Sequence, residues 1–518
     1  MNSKKYFTKS VFKKALECPT KLYYIKKPTE YADENKANDF LKALARGGFQ
    51  VGELARCQYK AGHLIDTLDH EEAVKQTDFL LKEKNVVIFE AAFKFDNLFI
   101  RVDIFRKNGN LCDLLEVKSK SADPSTFKDE LWAKGSLKKG IYDLKGDWYD
   151  YVYDVAFQAF VCKKAKPELS ITPYLVCADK SKKATVEGLN QKFLIRNIEG
   201  REKVEIRGDV SPSALGASVL CELDVSQPVD IILSDKEMSL KPDGPQFQAA
   251  TKFYAEMFMA DKKIPTQIGK QCKTCEFRSD HGSLKSGFHE CWQTATKLSK
   301  EQLEQPLAYD VWKFTGANEL IKNGRYFLKD VTEADIEPEG APDRVGFTQS
   351  QRQWMQVKSA KEGNTKEYMD ADGLSYEMSK WKYPLHFIDF ETCMVAIPFS
   401  KGRRPYEQIA FQFSHHMVYA DGRIEHKGQY INAIPGHFPN FDFVRALKKE
   451  LEGDNGTIFR YHNHENTVLN QIRDQLEESL EPDKDALISW IKTITHRKSE
   501  KWIGPRSMVD LCQMEMLY

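Results

Sequence analysis

VVIFEAAFKFDNLFIRVDIFRKNGNLCDLLEVKSKS, residues Val86 to Ser121, sets apolar runs on either side of a turn signal and carries four charged residues of interest. Ile100, Val102 and Ile104 alternate with Arg101 and Asp103, the period-two pattern of a half-buried strand, and Lys107-Asn108-Gly109-Asn110 is a turn signal. The stretch therefore reads as a β-hairpin. On its second strand Leu115 and Val117 share one face, which puts Glu116 and Lys118 on the other. Asp103, Glu116 and Lys118 can then meet at one strand end, with Glu90 upstream as a further ionisable group. Two carboxylates converging on one point repel unless a divalent cation sits between them, and Mg2+ takes such oxygen ligands while keeping several waters. A lysine two residues along can orient or deprotonate an attacking water, or offset charge on a phosphate. This is the chemistry of metal-assisted phosphodiester hydrolysis. An ordinary surface hairpin with a solvated Glu and Lys explains the same residues, and they alone leave the two readings even.

The whole chain bounds the choice. Its 518 residues expect two or three domains with ample cores. No apolar run has the length of a membrane span, and MNSKKYFTKSVF has no hydrophobic signal core, so a soluble, cytoplasmic protein is expected. Lys plus Arg equals Asp plus Glu, 76 each, so overall charge does not announce a nucleic-acid binder. Such a role needs segregated charge, for which Lys138-Lys139 and the tract from Lys180 to Lys183 are weak candidates. Eleven cysteines without a secretory signal argue against a disulfide framework. Cys162 and Cys177 read as small buried hydrophobes. Cys272, Cys275 and Cys291 differ, because QCKTCEFRSDHGSLKSGFHECW is loop-like. A fourth soft ligand would complete a tetrahedral set for zinc or an iron-sulfur cluster.

In chain order, SVFKKALECPTKLYY reads as a helix interrupted at Cys18-Pro19, which makes Cys18 either that fourth ligand or a buried structural thiol. Asn38 to Ala55 has helical apolar spacing. Asp147 to Cys162 is an amphipathic helix with Gln158 among Ala156, Phe157 and Phe160. Such a glutamine is a neighbour of the core or, beside an acidic site, a holder of water or phosphate. Leu169 to Cys177 and Phe193 to Ile198 read as strands, and Phe247 to Met259 as a helix.

The series Cys18, Glu90, Asp103, Glu116-Val117-Lys118, Gln158, Cys272-x-x-Cys275 and Cys291 resembles the PD-(D/E)xK nucleases of the CRISPR-associated iron-sulfur exonuclease and AddB type. The resemblance covers roughly the first 295 residues. It implies a restriction-endonuclease-like α/β domain with Asp103 and Glu116 as ligands of Mg2+ or Mn2+, Lys118 as the catalytic lysine and Gln158 as the active-site glutamine. It also implies a 4Fe-4S cluster on Cys18, Cys272, Cys275 and Cys291, with zinc as the alternative. Three features depart from the pattern: Gly52 stands where the GxxxH motif has its histidine, Cys162 stands where a tyrosine is usual, and the spacer before Cys291 is long.

Residues 296–380 read as a connector with some helix, as in Gln349 to Lys361. The last domain, 381–518, opens with PLHFIDFETC, an apolar strand that carries Asp389 and Glu391 on one face. A second strand lies within EQIAFQFSHHMVY, a helix from Phe443 to Leu451, and a strand TIFRY runs into His462-Asn463-His464-Glu465. Asp510 follows another short apolar strand. This order resembles RNase H-like exonucleases of the DEDD type, with Glu465 in place of the usual Asp, and the whole chain is similar to bacterial DUF2779 proteins. In the DEDD class paired acids bind two metals for an in-line displacement. That class has a further helix bearing the last acid with a His or Tyr. The sequence ends at Tyr518, so the expectation is an incomplete domain, or Asp510 in the place of that acid.

These readings converge on a metal-dependent nuclease acting on DNA that is single-stranded or has free ends, in repair, recombination or defence. Two alternatives stand beside it: a non-catalytic nucleic-acid-binding protein with degenerate nuclease folds, and an RNA-processing exonuclease. No membrane role and no particular protein partner follows from the sequence.

Overall fold

The structure, a computed structural model, describes residues 6–37, 39–59, 61–134, 143–198, 201–234, 246–279, 282–340 and 346–518. Lys138-Lys139 lies outside them. The protein is mixed α/β and divides into two compact units, Met1–Leu303 with Val395–Tyr406, and Glu304–Met394 with Glu407–Tyr518. Among the described residues no helix is long and apolar enough to cross a membrane.

The first unit is built on a seven-stranded sheet. Its strands are β1 (Phe7–Thr8), β2 (His63–Leu64), β3 (Asn85–Phe95), β4 (Leu98–Asn108), β5 (Leu111–Ala122), β6 (Ser170–Asp179) and, after a separate hairpin of β7 (Phe193–Ile198) and β8 (Arg201–Ile206), β9 (Leu220–Asp224). The order is β2-β3-β4-β5-β6-β9, with β1 added parallel to β4. β3, β4 and β5 form an antiparallel meander, with Ile104 opposite Leu115. β5 and β6 are parallel, Glu116 opposite Leu175, and the helix Gly146–Ala165 makes the crossover that parallel pairing requires.

Strand alternation assigns the two faces. Phe105 and Leu114 pack under the Gly146–Ala165 helix with Val152, Ala156 and Phe157. Ile104, Leu115 and Val176 pack on the other face with Val51, Leu54 and Ala55 of the helix Asp39–Cys57. Asp103 and Glu116, each two residues from a member of the first set, therefore face the crossover helix. The N-terminal helix Lys9–Glu17 breaks at Cys18-Pro19 and resumes at Lys21–Ile25, as the sequence reading expects. Phe12 stacks on Phe157 at 4.8 Å and fixes this helix against the crossover helix. Cys162 and Cys177 are buried hydrophobes, as expected. Lys180, Lys182 and Lys183 are exposed, and Lys180 pairs with Glu130.

In the second unit the stretch read as a connector holds its own small apolar core of Ala308, Val311, Leu320, Leu328, Val331 and Val357. The last of these lies on the helix Gln349–Glu362, capped by Thr348. A five-stranded sheet follows: β10 (Leu385–Cys393), β11 (Ile409–Val418), β12 (Ile424–Ile431), β13 (Ile458–Arg460) and, past a short hairpin of β14 (His496–Arg497) and β15 (Trp502–Ile503), β16 (Val509–Asp510). The order is β12-β11-β10-β13-β16; β11 is antiparallel to both β12 and β10, and β13 and β16 run parallel to β10. Phe390, Phe413, Phe443, Leu447, Val468 and Ile472 form the core between this sheet and the helices Asn440–Leu451 and His464–Glu477.

Candidate active site

Glu116 is the centre of the first unit's polar cluster, with only 1% of its surface exposed. Its Oε1 accepts from Lys118 Nζ at 2.6 Å and Lys9 Nζ at 2.7 Å, and its Oε2 from Gln158 Nε2 at 2.7 Å. Lys118 also donates to Asp154 Oδ2 at 2.6 Å. Asp103 Oδ2 accepts from the Val117 backbone N–H at 2.7 Å, so the hairpin register itself places this carboxylate beside Glu116. Glu90 lies near Asp103 and pairs with Arg56 at 2.6 Å. It adopts φ +56°, a left-handed conformation uncommon for a residue with a side chain, at the point where the β3–β4 register skips from Phe89 to Ala91.

The two carboxyls respond oppositely. Burial pushes the Asp103 carboxyl up to about 7, the Glu116 charge adds to this, and Lys9 opposes it. Burial also disfavours ionised Glu116, but Lys118 and Lys9 overcome it and hold that carboxyl well below the ordinary range. Both lysines are held protonated in turn: burial works against them, and Glu116 and Asp154 outweigh it.

The donors present are of the chemical kind that a divalent ion takes. Asp103 and Glu116 offer hard carboxylate oxygens, and Gln158 Oε1 and Asp154 Oδ1 are buried without a hydrogen-bond partner among the described residues. Among the described residues no group of three or more His, Cys, Asp or Glu side chains is arranged to hold a metal. The fit thus rests on two carboxylates and an amide oxygen, the sparse protein ligation that Mg2+ with its retained waters accepts. At Gly52 a Cβ would meet nothing within 4 Å. Sequence reading missed Lys9 and Asp154. Asp154 had a signal, since it precedes Gln158 by four residues on one helix face. Lys9 had none, because only the docking of its helix brings it to Glu116.

Cys18, Cys272, Cys275 and Cys291 are free and partly buried. Burial pushes Cys272 up to about 11 and Cys275 to about 12. Cys272 feels the charge of Cys18 and Cys291, and Cys275 that of Cys272, so the four share one neighbourhood without closing into a ligand set. Tyr24 Oη lies 3.1 Å from Cys291 Sγ.

The second unit gathers another acidic set. Asp389 and Glu391 are exposed on one face of β10. Glu465, in the first turn of the helix His464–Glu477, is buried with Oε2 unpartnered. Burial pushes its carboxyl up to about 7, and Asp389 and Asp510 add to this against Arg460. Asp510 accepts from Arg460 Nη1 at 2.8 Å, its direct neighbour across the β13–β16 register, and caps the helix Leu511–Leu517 through Gln513 N. Asp389, Glu465 and Asp510 thus share one electrostatic neighbourhood, with Arg460, absent from the sequence reading, inside it.

A pH dependence follows from Glu465. Its folded-state value lies above the ordinary 4.5, so between pH 4.5 and 7 the folded chain binds the proton more strongly than the unfolded one. Stability of the second unit therefore falls by about 3 kcal/mol as pH rises through that window. Urea unfolding of metal-free protein at pH 5 and pH 8 is expected to show this loss, and Glu465→Gln to remove it.

No curated protein and no solved structure matches the chain. Residues 386–515, which hold β10 to β16 and the acids Asp389, Glu391, Glu465 and Asp510, match the family model described as a domain of unknown function, DUF2779.

Proposed function

We propose that the chain is a metal-dependent nuclease that hydrolyses phosphodiester bonds of DNA, with Asp103, Glu116, Lys118 and Gln158 of the first unit as its active site. The observation that carries this reading is the buried Glu116, on which Lys118 and Gln158 converge with Asp103 alongside. The antiparallel β3-β4-β5 meander with a helical crossover to parallel β6 supports a PD-(D/E)xK fold. Mg2+ or Mn2+, held by Asp103, Glu116 and Gln158, would supply Lewis acidity and an activated water. Lys118 is held protonated by Glu116 and Asp154, so it serves as a fixed positive charge toward the scissile phosphate and not as a base. Gln158 fixes the Glu116 carboxylate through one oxygen and leaves its own carbonyl oxygen for water or phosphate.

The proposal includes a 4Fe-4S cluster, with zinc as the alternative, on Cys18, Cys272, Cys275 and Cys291, supported by their common neighbourhood. Its role is structural, tying the end of the Lys9–Glu17 helix to the segment around Cys291. Protein purified without oxygen is expected to carry iron and absorb broadly in the visible, and Cys275→Ala to lose both; colourless protein holding zinc would select the alternative. The second unit contributes 3′ exonuclease activity or strand binding. Its strand order, with β13 and β16 parallel to β10 and acids at Asp389, Glu465 and Asp510, supports an RNase H-like reading.

A second reading, nucleic-acid binding without cleavage, is favoured by Lys9, whose ammonium occupies Glu116 Oε1, and by the open space at Gly52, where the nuclease pattern has a histidine. End-labelled single-stranded DNA, duplex DNA and RNA incubated with Mg2+ or Mn2+ decide between them. Chelator-sensitive cleavage of DNA is the expected result. Tight binding with no cleavage in any metal supports the second reading, and cleavage of RNA alone would move the substrate to RNA.

A further inference from the structure

A cleft of about 1100 Å³ opens in the second unit beside Asp510, larger than the roughly 300 to 1,000 Å³ of small-molecule pockets. One wall is the helix His464–Glu477, through Asn466 and Asn470; the other is the β14–β15 hairpin, through Lys498, Lys501 and Trp502. The lining combines amides, ammonium groups and an indole, the chemistry that grips an unpaired base and its phosphate. Of the two acids in the lining, Asp474 pairs with Arg473 at 2.8 Å and Arg497 at 2.7 Å, and Asp510 pairs with Arg460 at 2.8 Å. Lys498 and Lys501 are exposed, and their ammonium groups have no ion pair among the described residues. Trp502 is held in orientation by its Nε1, which donates to Glu500 Oε2 at 3.0 Å.

Two buried polar atoms of this lining lack partners. Arg460 is 4% exposed and Asn470 is 7% exposed, and Arg460 Nε and Asn470 Oδ1 make no hydrogen bond among the described residues. Buried polar groups of folded proteins are normally paired, so an unpaired donor and an unpaired acceptor in this lining point to a ligand that pairs them.

We propose that this cleft is the path of a single nucleic-acid strand, its phosphates on Lys498 and Lys501, a base against Trp502, and one end at Asp510 and Glu465. This rests on the reading of the chain as one that acts on nucleic acid. A free nucleotide shares the same chemistry, so the test separates the two.

The full chain, in chelator so that nothing is cleaved, is titrated into a labelled 12-nucleotide DNA strand and, separately, with a nucleoside monophosphate. The strand is expected to bind far more tightly than the monophosphate. Lys498→Gln with Lys501→Gln is expected to flatten the dependence of log affinity on log salt by about 1.4. Trp502→Ala is expected to weaken binding on the order of tenfold, and Trp502→Phe to restore most of it. Unchanged thermal melting of the lysine variant, whose replaced groups are exposed, shows that the fold is intact. Equal affinity for monophosphate and strand would overturn the strand path in favour of a nucleotide pocket. Strand binding unaffected in every variant would overturn the cleft assignment while Glu116-dependent cleavage left the proposed function standing. Neither binding nor such cleavage would overturn both.

Discussion

Glu116→Ala is expected to lower metal-dependent DNA cleavage by roughly three orders of magnitude, with little change in strand affinity. The size of the effect comes from what converges on this side chain. Glu116 is both the proposed cation ligand and the group that holds Lys118 and Gln158 in place. Its removal also leaves the Lys9 and Lys118 ammonium groups facing each other beside Asp154. Glu116→Gln keeps the shape and the Gln158 contact but removes the charge, and is expected to lose activity nearly as fully. Asp103→Asn moves in the same direction. Single-turnover cleavage with saturating enzyme separates the loss of chemistry from any loss of binding. Activity retained in Glu116→Ala would exclude the first unit's site.

Arg460→Ala is expected to destabilise the second unit by about 4 kcal/mol, lowering its melting temperature by roughly 10 °C. Arg460, the last residue of β13, is nearly fully buried, and its guanidinium is the direct partner of Asp510 at 2.8 Å and a donor to the His462 carbonyl. Its removal takes away the ion-pair partner of the Asp510 carboxylate beside buried Glu465, and breaking such a pair from one side is costly. Asp510→Asn in the same chain is expected to recover part of the loss, since the uncompensated charge goes with it. Differential scanning calorimetry of the single and double variants measures both terms.

Much of the framework was legible because it is written in local periodicity. The alternation through Ile100, Val102 and Ile104 gave β4, and the Asn108-Gly109-Asn110 signal gave the turn into β5. The helix breaks where Cys18-Pro19 forbids it to continue, and Phe247–Met259 and Phe193–Ile198 fall where their patterns place them. The site was legible where it rests on strand alternation, as for Glu116 and Lys118. Tertiary partners were not. Lys9 reaches Glu116 across 107 residues of chain, and Arg460 reaches Asp510 across 50, because helix docking and parallel strand register bring them together. The stretch from Ala308 to Val357 read as a connector since its apolar residues are scattered among polar and turn-forming ones. Its core forms only when short segments pack on one another.

The most direct test of the central claim is a crystal of the protein grown with Mn2+ and measured for anomalous scattering. A peak is expected between Asp103 and Glu116, within reach of Gln158 Oε1, with the Lys9 ammonium displaced from Glu116 Oε1. A peak lost in Asp103→Asn would confirm the ligand set. Crystals soaked in Mn2+ with no density there, and Lys9 still on Glu116, would contradict the account and leave the first unit a binding fold without its metal.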